Sequence, residues 1–444
     1  MEDIKNNLGE CNMTIDNKLY DEISNAIFSL PIFDTHEHLI AEEDRRKSNL
    51  DFSLFFMMYA GTDLRNSGMK EEDYLAFQDK KVDLEKKWNY FSEHWKNIKN
   101  TSYSKVILEA VNGLYGYEDI NEENYVQLSE KIKKTSGLNW YDKVIKESNV
   151  KKILNHLENI WQADIKIIKR PEFKPVIHVD DIICLCCRED VFALEKKFNK
   201  NIYKLQDLLD ILDSIFAKKE QENYKAFKIA LAYMRSIIFD EVTFYEADKI
   251  FSNIFKLKSY GYLEKKDFIS KDDLKPFQDF LVHYLIQKAI EYDLPVQIHT
   301  GIFENLWNDV LNSNPAFLIN LFMKYRNCNF DIFHAGYPYS DQLIAISKQF
   351  PNVYFDLCWI VDISPALYKR VLNLLLEIIP SNKIFGFGGD YMFIEGLYGS
   401  QKIVRRAIAD LLYEKIDQKY FKFDEAIEFA KKILYLNPKA LYKW

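Results

Sequence analysis

Cysteine is scarce in this chain. Six residues in 444 are too few for a disulfide framework, and a reduced cytoplasmic protein is the expectation. Glycine is equally sparing, at 14 residues, and no G-x-G-x-x-G run occurs. That removes the main argument for an open, doubly wound dinucleotide-binding sheet. No lysine/arginine stripe offsets the net charge of -8, so no nucleic-acid partner is expected. No apolar run approaches membrane-spanning length: "VLNLLLEII" (371–379) is short and carries Asn373 and Glu377, so no membrane partner is expected. The opening "MEDIKNNLGECNMTIDNK" lacks the basic start and apolar core of a signal peptide. The cluster "CLCC" (184–187) fits no paired CxxC spacing and reads as buried thiols at a strand end.

What the chain does have is apolar residues, 48% of the total with 15% aromatic, enough for a large core. No repeat or low-complexity linker divides it. Short β-rich runs alternate with amphipathic helical stretches. The runs are "PIFDTHEHL" (31–39), "VKKILN" (150–155), "KPVIHVDDIICL" (174–185), "AFKIALAY" (226–233), "PVQIHTG" (295–301), "NFDIFHAG" (329–336), "NVYFDLCW" (352–359) and "KIFGFGGD" (383–390). Eight strand–helix alternations predict an α/β fold, a (β/α)8 TIM barrel formed as one domain over 1–444. Residues 45–149, rich in Trp, Tyr, Lys and Glu, are far more than one crossover needs. They are expected to form a helical insertion capping the barrel mouth after strand one, and a second long segment, about 241 to 273, follows strand four.

The first run raises the functional question. On a strand His36 and His38 face the same way and Glu37 the other, with the imidazoles about 7 Å apart along the chain. That spacing suits a metal-binding edge or an ordinary strand. Other strands supply His178, Lys228, His299, His334 and Asp390. Polar groups at the ends of barrel strands read as chemistry, because the middle layers are normally branched and apolar. Imidazole and carboxylate suit Zn²⁺, Mn²⁺ or Fe²⁺, and such an ion makes water a nucleophile near neutral pH. Asp390 is placed to take a proton and pass it to a leaving group. A salt bridge would satisfy Lys228 as well as a metal would. His94, His156 and His283 read as structural.

The segments "FDTHEHL", "FKIALAYMR", "PVQIHTGIFENLWNDVLNSNPAFL", "FDIFHAGYPYSDQLIAISKQFPNVYFDLCW" and "KIFGFGGDYMFIEGLYG" together resemble the amidohydrolase superfamily, in its amidohydrolase-related branch of metal-dependent barrel hydrolases. That branch includes a domain fused to glutamine synthetase in some proteins. The match is nearly continuous from 225 onward and loose over 40–149. The resemblance implies His36, His38 and His299 as metal ligands, with His334 a ligand or catalytic residue and Asp390 touching metal and shuttling the proton. Lys228 matches the lysine that bridges two ions when carboxylated; unmodified, it implies one ion. His178, Arg235, Tyr337, Tyr339 and Trp359 are expected to contact substrate, Arg235 as a carboxylate clamp. The expected activity is hydrolysis of a C–N or C–O bond (amide, cyclic amide, ester or lactone) in a small polar molecule, using one or two divalent ions, zinc first. Metal-dependent non-oxidative decarboxylation of a small acid is the alternative, and uronate isomerisation ranks third. A small-molecule substrate is the expected partner, with homo-oligomerisation left open.

Overall fold

The computed structural model describes residues 17–48, 50–137, 139–156, 168–255 and 271–444. Most of the opening segment, expected to carry no signal peptide, and part of the long segment after strand four lie outside the described residues. Eight strands form one parallel sheet in chain order: β1 (Ile32–Glu37), β2 (Val150–His156), β3 (Phe173–His178), β4 (Phe227–Ile229), β5 (Val296–Ile298), β6 (Phe330–Ile332), β7 (Val353–Asp356) and β8 (Ile384–Phe385). The ring closes where β1 and the chain leaving β8 exchange backbone hydrogen bonds. Thr35 N donates to Phe387 O at 3.2 Å, Asp390 N to His36 O at 2.8 Å and His38 N to Tyr391 O at 3.0 Å. This is the (β/α)8 barrel that the alternation of runs predicts.

The strands are shorter than the apolar runs that announce them, because several runs bend at their carboxyl ends. β4 gives way to a turn at Leu231–Tyr233 and β6 to one at Phe333–Gly336. His334, Trp359 and Asp390, which follow β6, β7 and β8, all have left-handed backbone, with φ of 62°, 65° and 65°. Non-glycine residues are held there only at a cost of about 1–3 kcal/mol each, a cost typical of functional sites. "CLCC" does not extend β3. A short helix, Asp180–Ile183, intervenes, and the amides of Cys186 and Cys187 donate to Asp190 Oδ2 at 2.9 and 3.2 Å, capping the helix Arg188–Phe198.

Side chains inside the barrel are layered. Phe33, Leu154, Val176, Ala226 and Phe385 form a separate apolar floor, closed by Tyr442 from the C-terminal segment, which stacks on Phe33 at 5.8 Å. Each of the first four stands two residues before Thr35, His156, His178 or Lys228, so strand parity places those polar groups one layer above. Lys228 is in register with Gln297, and Gln297 with Asp331. A polar layer thus occupies what is normally an apolar middle.

Between β1 and β2 the chain is helical, including Tyr59–Asn66, Leu84–Ile98, Ser102–Ala110 and Trp140–Ser148. Buried Phe52, Phe56, Phe77, Phe91 and Trp95 form its own aromatic core. The insertion is tied to the barrel through fully buried Glu395, at the start of the helix Ile394–Asp417. One carboxylate oxygen accepts from Arg45 at 2.5 Å, Tyr115 at 2.8 Å and Trp140 at 2.9 Å.

Candidate metal centre

The carboxyl ends of the strands converge on a cavity of about 260 Å³, lined by His36, His38, His156, His178, Lys228, Ala230, Tyr233, His299, Glu304 and Asp390, and by Met58, Tyr59 and Met392. Its centre is the Asp390 carboxylate. Oδ1 lies 3.0 Å from His36 Nε2 and 3.3 Å from His38 Nε2, and Oδ2 lies 3.8 Å from His334 Nε2. The left-handed turn at Asp390 is what brings this side chain back over β1.

Hydrogen bonds fix the state of two further imidazoles. His299 Nε2 faces the Ile302 carbonyl at 3.0 Å and His334 Nδ1 the Cys358 carbonyl at 3.3 Å. Carbonyls only accept, so those nitrogens carry the ring hydrogens. The remaining two, His299 Nδ1 and His334 Nε2, therefore point bare lone pairs at each other across 3.1 Å. Two lone pairs so placed call for a shared cation, a proton or a metal ion. Burial pushes His36 and His334 well below the usual imidazole range and His299 down to about 3, with Lys228 or neighbouring imidazoles adding to the effect. Neutral imidazoles are the form that binds metal. At Asp390 burial acts upward, but the hydrogen bond from His38 and the neighbouring His334, His38 and Lys228 hold the carboxyl below its ordinary value. His36, His334 and Asp390 each offer a ligand atom within 4.8 Å of the others, as do His36, His38 and His156. Nitrogen and carboxylate donors in this number fit a zinc-like ion and not an all-oxygen calcium or magnesium site.

Lys228 is buried beneath this cluster. Its ammonium has no hydrogen-bond partner and lies 3.6 Å from the centre of the Phe333 ring. Burial lowers it to about 8, with Asp390 acting in the opposite direction. A cation–π contact thus accommodates an unmodified lysine.

The structure brings together His36, His38, His178, Lys228, His299, His334 and Asp390, and leaves the other expected contacts outside the cavity. Arg235 is no carboxylate clamp here: its guanidinium binds Asp279 at 2.5 Å and the carbonyl of Ser236 at 2.8 Å. Tyr339 donates to the Val310 carbonyl at 3.3 Å, and the Tyr337 backbone packs against Gly301. Trp359 is a wall behind the site, its ring 5.2 Å from that of His334 and stacked on Tyr59 at 4.6 Å. Sequence reasoning set His156 down as structural and passed over Glu304, Tyr233, Met58, Tyr59 and Met392, all of which line the cavity. Tyr59, from the insertion, donates its hydroxyl to the Asp390 carbonyl and so braces the turn that aims the carboxylate.

Comparison with known proteins agrees with the barrel fold. Residues 268–444 match the family model described as Amidohydrolase. Protein fluG of Emericella nidulans is 29% identical over 175 residues, 38% of this chain and 20% of that protein, so the chain spans a fifth of this curated relative. Among solved structures, a uronate isomerase of Thermotoga maritima superposes with a TM-score of 0.76 at 17% identity, covering 96% of this chain and 97% of its own. A glucuronate isomerase of Caulobacter crescentus gives 0.74 at 14% identity, covering 96% and 94%. A Lactobacillus casei protein described as a metal-dependent hydrolase gives 0.63 at 16%, covering 95% and 97%. At such identities the shared property is the fold. The amidohydrolase resemblance read from the sequence is borne out by that family model over residues 268–444, and the barrel fold by the solved structures.

Proposed function

We propose that this chain is a hydrolase that uses one divalent ion, zinc first among candidates, to open a C–N or C–O bond in a small, polar, uncharged molecule. Amides, cyclic amides, esters and lactones are the substrate classes. The observation that carries the reading is the Asp390 carboxylate set among neutral imidazoles at the foot of an open cavity. His36, His38, His299, His334 and Asp390 would hold the ion. An ion bound there would supply polarisation of a carbonyl and a more acidic water.

Asp390 accepts the proton of the attacking water and returns it to the leaving nitrogen or oxygen, the work its ionised state and central position among the imidazoles suit. Tyr59 and Trp359 keep the carboxylate and His334 in place. Lys228, whose ammonium fits over the Phe333 ring as an unmodified lysine, is consistent with a single ion. Among the described residues no arginine lines the cavity, and Arg235 is engaged by Asp279. The feature that favoured carboxylic-acid substrates is thereby lost, which sets hydrolysis above decarboxylation and above uronate isomerisation. The cytoplasmic setting expected from cysteine content is kept in this reading.

The test is a substrate screen on zinc-loaded protein, run in parallel for amide and lactone opening, carbon dioxide release from small acids, and solvent-hydrogen exchange into sugar acids. Hydrolysis that disappears in Asp390→Asn, while bound metal remains, supports the reading. Carbon dioxide release or exchange into a uronate, with no hydrolysis, refutes it.

A further inference from the structure

His156 has no part in the reading so far. It ends β2 and is buried, its ring 4.1 Å from that of His36 and 5.1 Å from that of His38. Its tautomer can be read from its neighbours. The side-chain nitrogen of Gln297 lies 3.3 Å from the Thr35 carbonyl and 2.8 Å from the Tyr442 hydroxyl oxygen. That hydroxyl spends its own hydrogen on the Asp331 carboxylate, so toward Gln297 it accepts. With both amide hydrogens committed, the group facing His156 Nε2 at 3.2 Å is the amide oxygen, which has nothing to donate. Nε2 therefore carries the ring hydrogen. Nδ1, buried with no hydrogen-bond partner, keeps a bare lone pair in the cluster where His36, His38 and His156 all offer nitrogens within 4.8 Å.

We propose that His156 is a further metal ligand through Nδ1, and that Gln297, Tyr442 and Asp331 are positioning residues that hold it in that tautomer. The chain of bonds runs from Asp331 through a phenol and an amide to an imidazole, so the C-terminal segment that plugs the barrel floor sets the orientation of a ligand at the mouth. A neutral imidazole on β2 supplies a donor that unmodified Lys228 cannot, and the ion gains a histidine-rich set without lysine carboxylation. This proposal rests on the reading that a divalent ion occupies the site.

The experiment compares wild type, His156→Gln and Gln297→Met, each purified without chelator and checked for folding by circular dichroism. Zinc affinity is measured by competition with a chromophoric chelator, and the ligand field by the visible absorption of the Co²⁺ form. The expected result is a loss of zinc affinity of at least about 10-fold in His156→Gln and about 10-fold in Gln297→Met, the size of effect usual for partners that orient a metal-bound histidine. Both variants should also shift the cobalt spectrum, which a purely structural role would leave unmoved. Folded His156→Gln with wild-type affinity and spectrum overturns the proposal. If that variant does not fold, Gln297→Met with wild-type affinity and spectrum overturns it alone. Wild type that binds neither zinc nor cobalt is a different failure: it removes the metal reading itself, and this proposal with it.

Discussion

Replacing Gly389 by alanine tests how the site is held. A Cβ at this position falls 2.0 Å from Glu37 Oε1, where ordinary contact begins near 3.4 Å, an overlap of about 1.4 Å. Glu37 cannot withdraw cheaply. It is fully buried, and its other oxygen accepts from Tyr391 N at 2.7 Å. Burial raises its carboxyl well above the usual range, and the charge and hydrogen bond of neighbouring Asp34 add to that. Asp34 Oδ1 accepts in turn from His36 N at 3.1 Å and Gly389 N at 3.2 Å. The two acids therefore bolt the backbone of the first histidine pair to the turn that carries Asp390. Relief by moving Glu37 costs a hydrogen bond, about 1 kcal/mol, on top of about 1–3 kcal/mol of overpacking. That predicts a stability loss of about 2–4 kcal/mol. Relief by moving the turn displaces Asp390 by about an ångström, a misplacement worth roughly 100-fold in turnover. Urea unfolding and zinc affinity, followed by turnover on a substrate from the screen, measure the two routes. Gly386→Ala in the same run is the control. The atoms nearest its Cβ would be those of the Ile433 side chain at 3.1–3.4 Å, which can give way, so a loss of about 1 kcal/mol or less with an intact site is expected. Equal behaviour of the two variants would refute the reasoning.

Three further outcomes are expected. Arg235→Met should lower stability by about 1–3 kcal/mol by removing a charged hydrogen bond from buried Asp279, and leave KM unchanged; a tenfold or greater rise in KM with stability intact would restore its role as a clamp. Lys228 should be unmodified by intact mass, and Lys228→Met should keep the wild-type metal content. A carbon-dioxide mass increment, or a second ion lost in that variant, would refute the single-ion reading. Lys383 is lowered by burial from 10.5 to about 8, so between those pH values the unfolded chain binds more protons and this residue's contribution to stability rises with pH. Wild type should therefore gain on Lys383→Met as urea midpoints are taken from pH 7.5 toward pH 9.5, roughly the span set by that linkage; parallel midpoints would count against it.

All eight strands were legible because short β-rich runs recur between amphipathic helices, so that even a strand of three residues, Phe227–Ile229, is announced by its flanks. What went unread follows from where each strand stops. His156 lies one residue beyond the run taken as strand two, yet it has the parity of Leu154, whose side chain is in the barrel floor. Asn155 between them faces the other way and exchanges hydrogen bonds with the backbone of Leu39. The rule that paired His36 with His38 would have found His156, had it been carried one residue further. The same rule fails at Arg235. The chain leaves β4 before Leu231, and the turn that follows gives the cavity to Tyr233 instead. Parity predicts direction only while the backbone stays extended. Tyr59 is a third kind of case: it meets Asp390 across 331 residues, and nothing in the local pattern of the insertion marks it. The ligands can be read because they sit on strands or just past their ends, whereas among the groups that aim them Gly389 and Tyr59 come from a turn and from the insertion, and Gln297 is hidden inside a strand. The sharpest tests of this site therefore lie among residues, such as Gly389, Gln297 and Tyr59, that never bind the ion themselves.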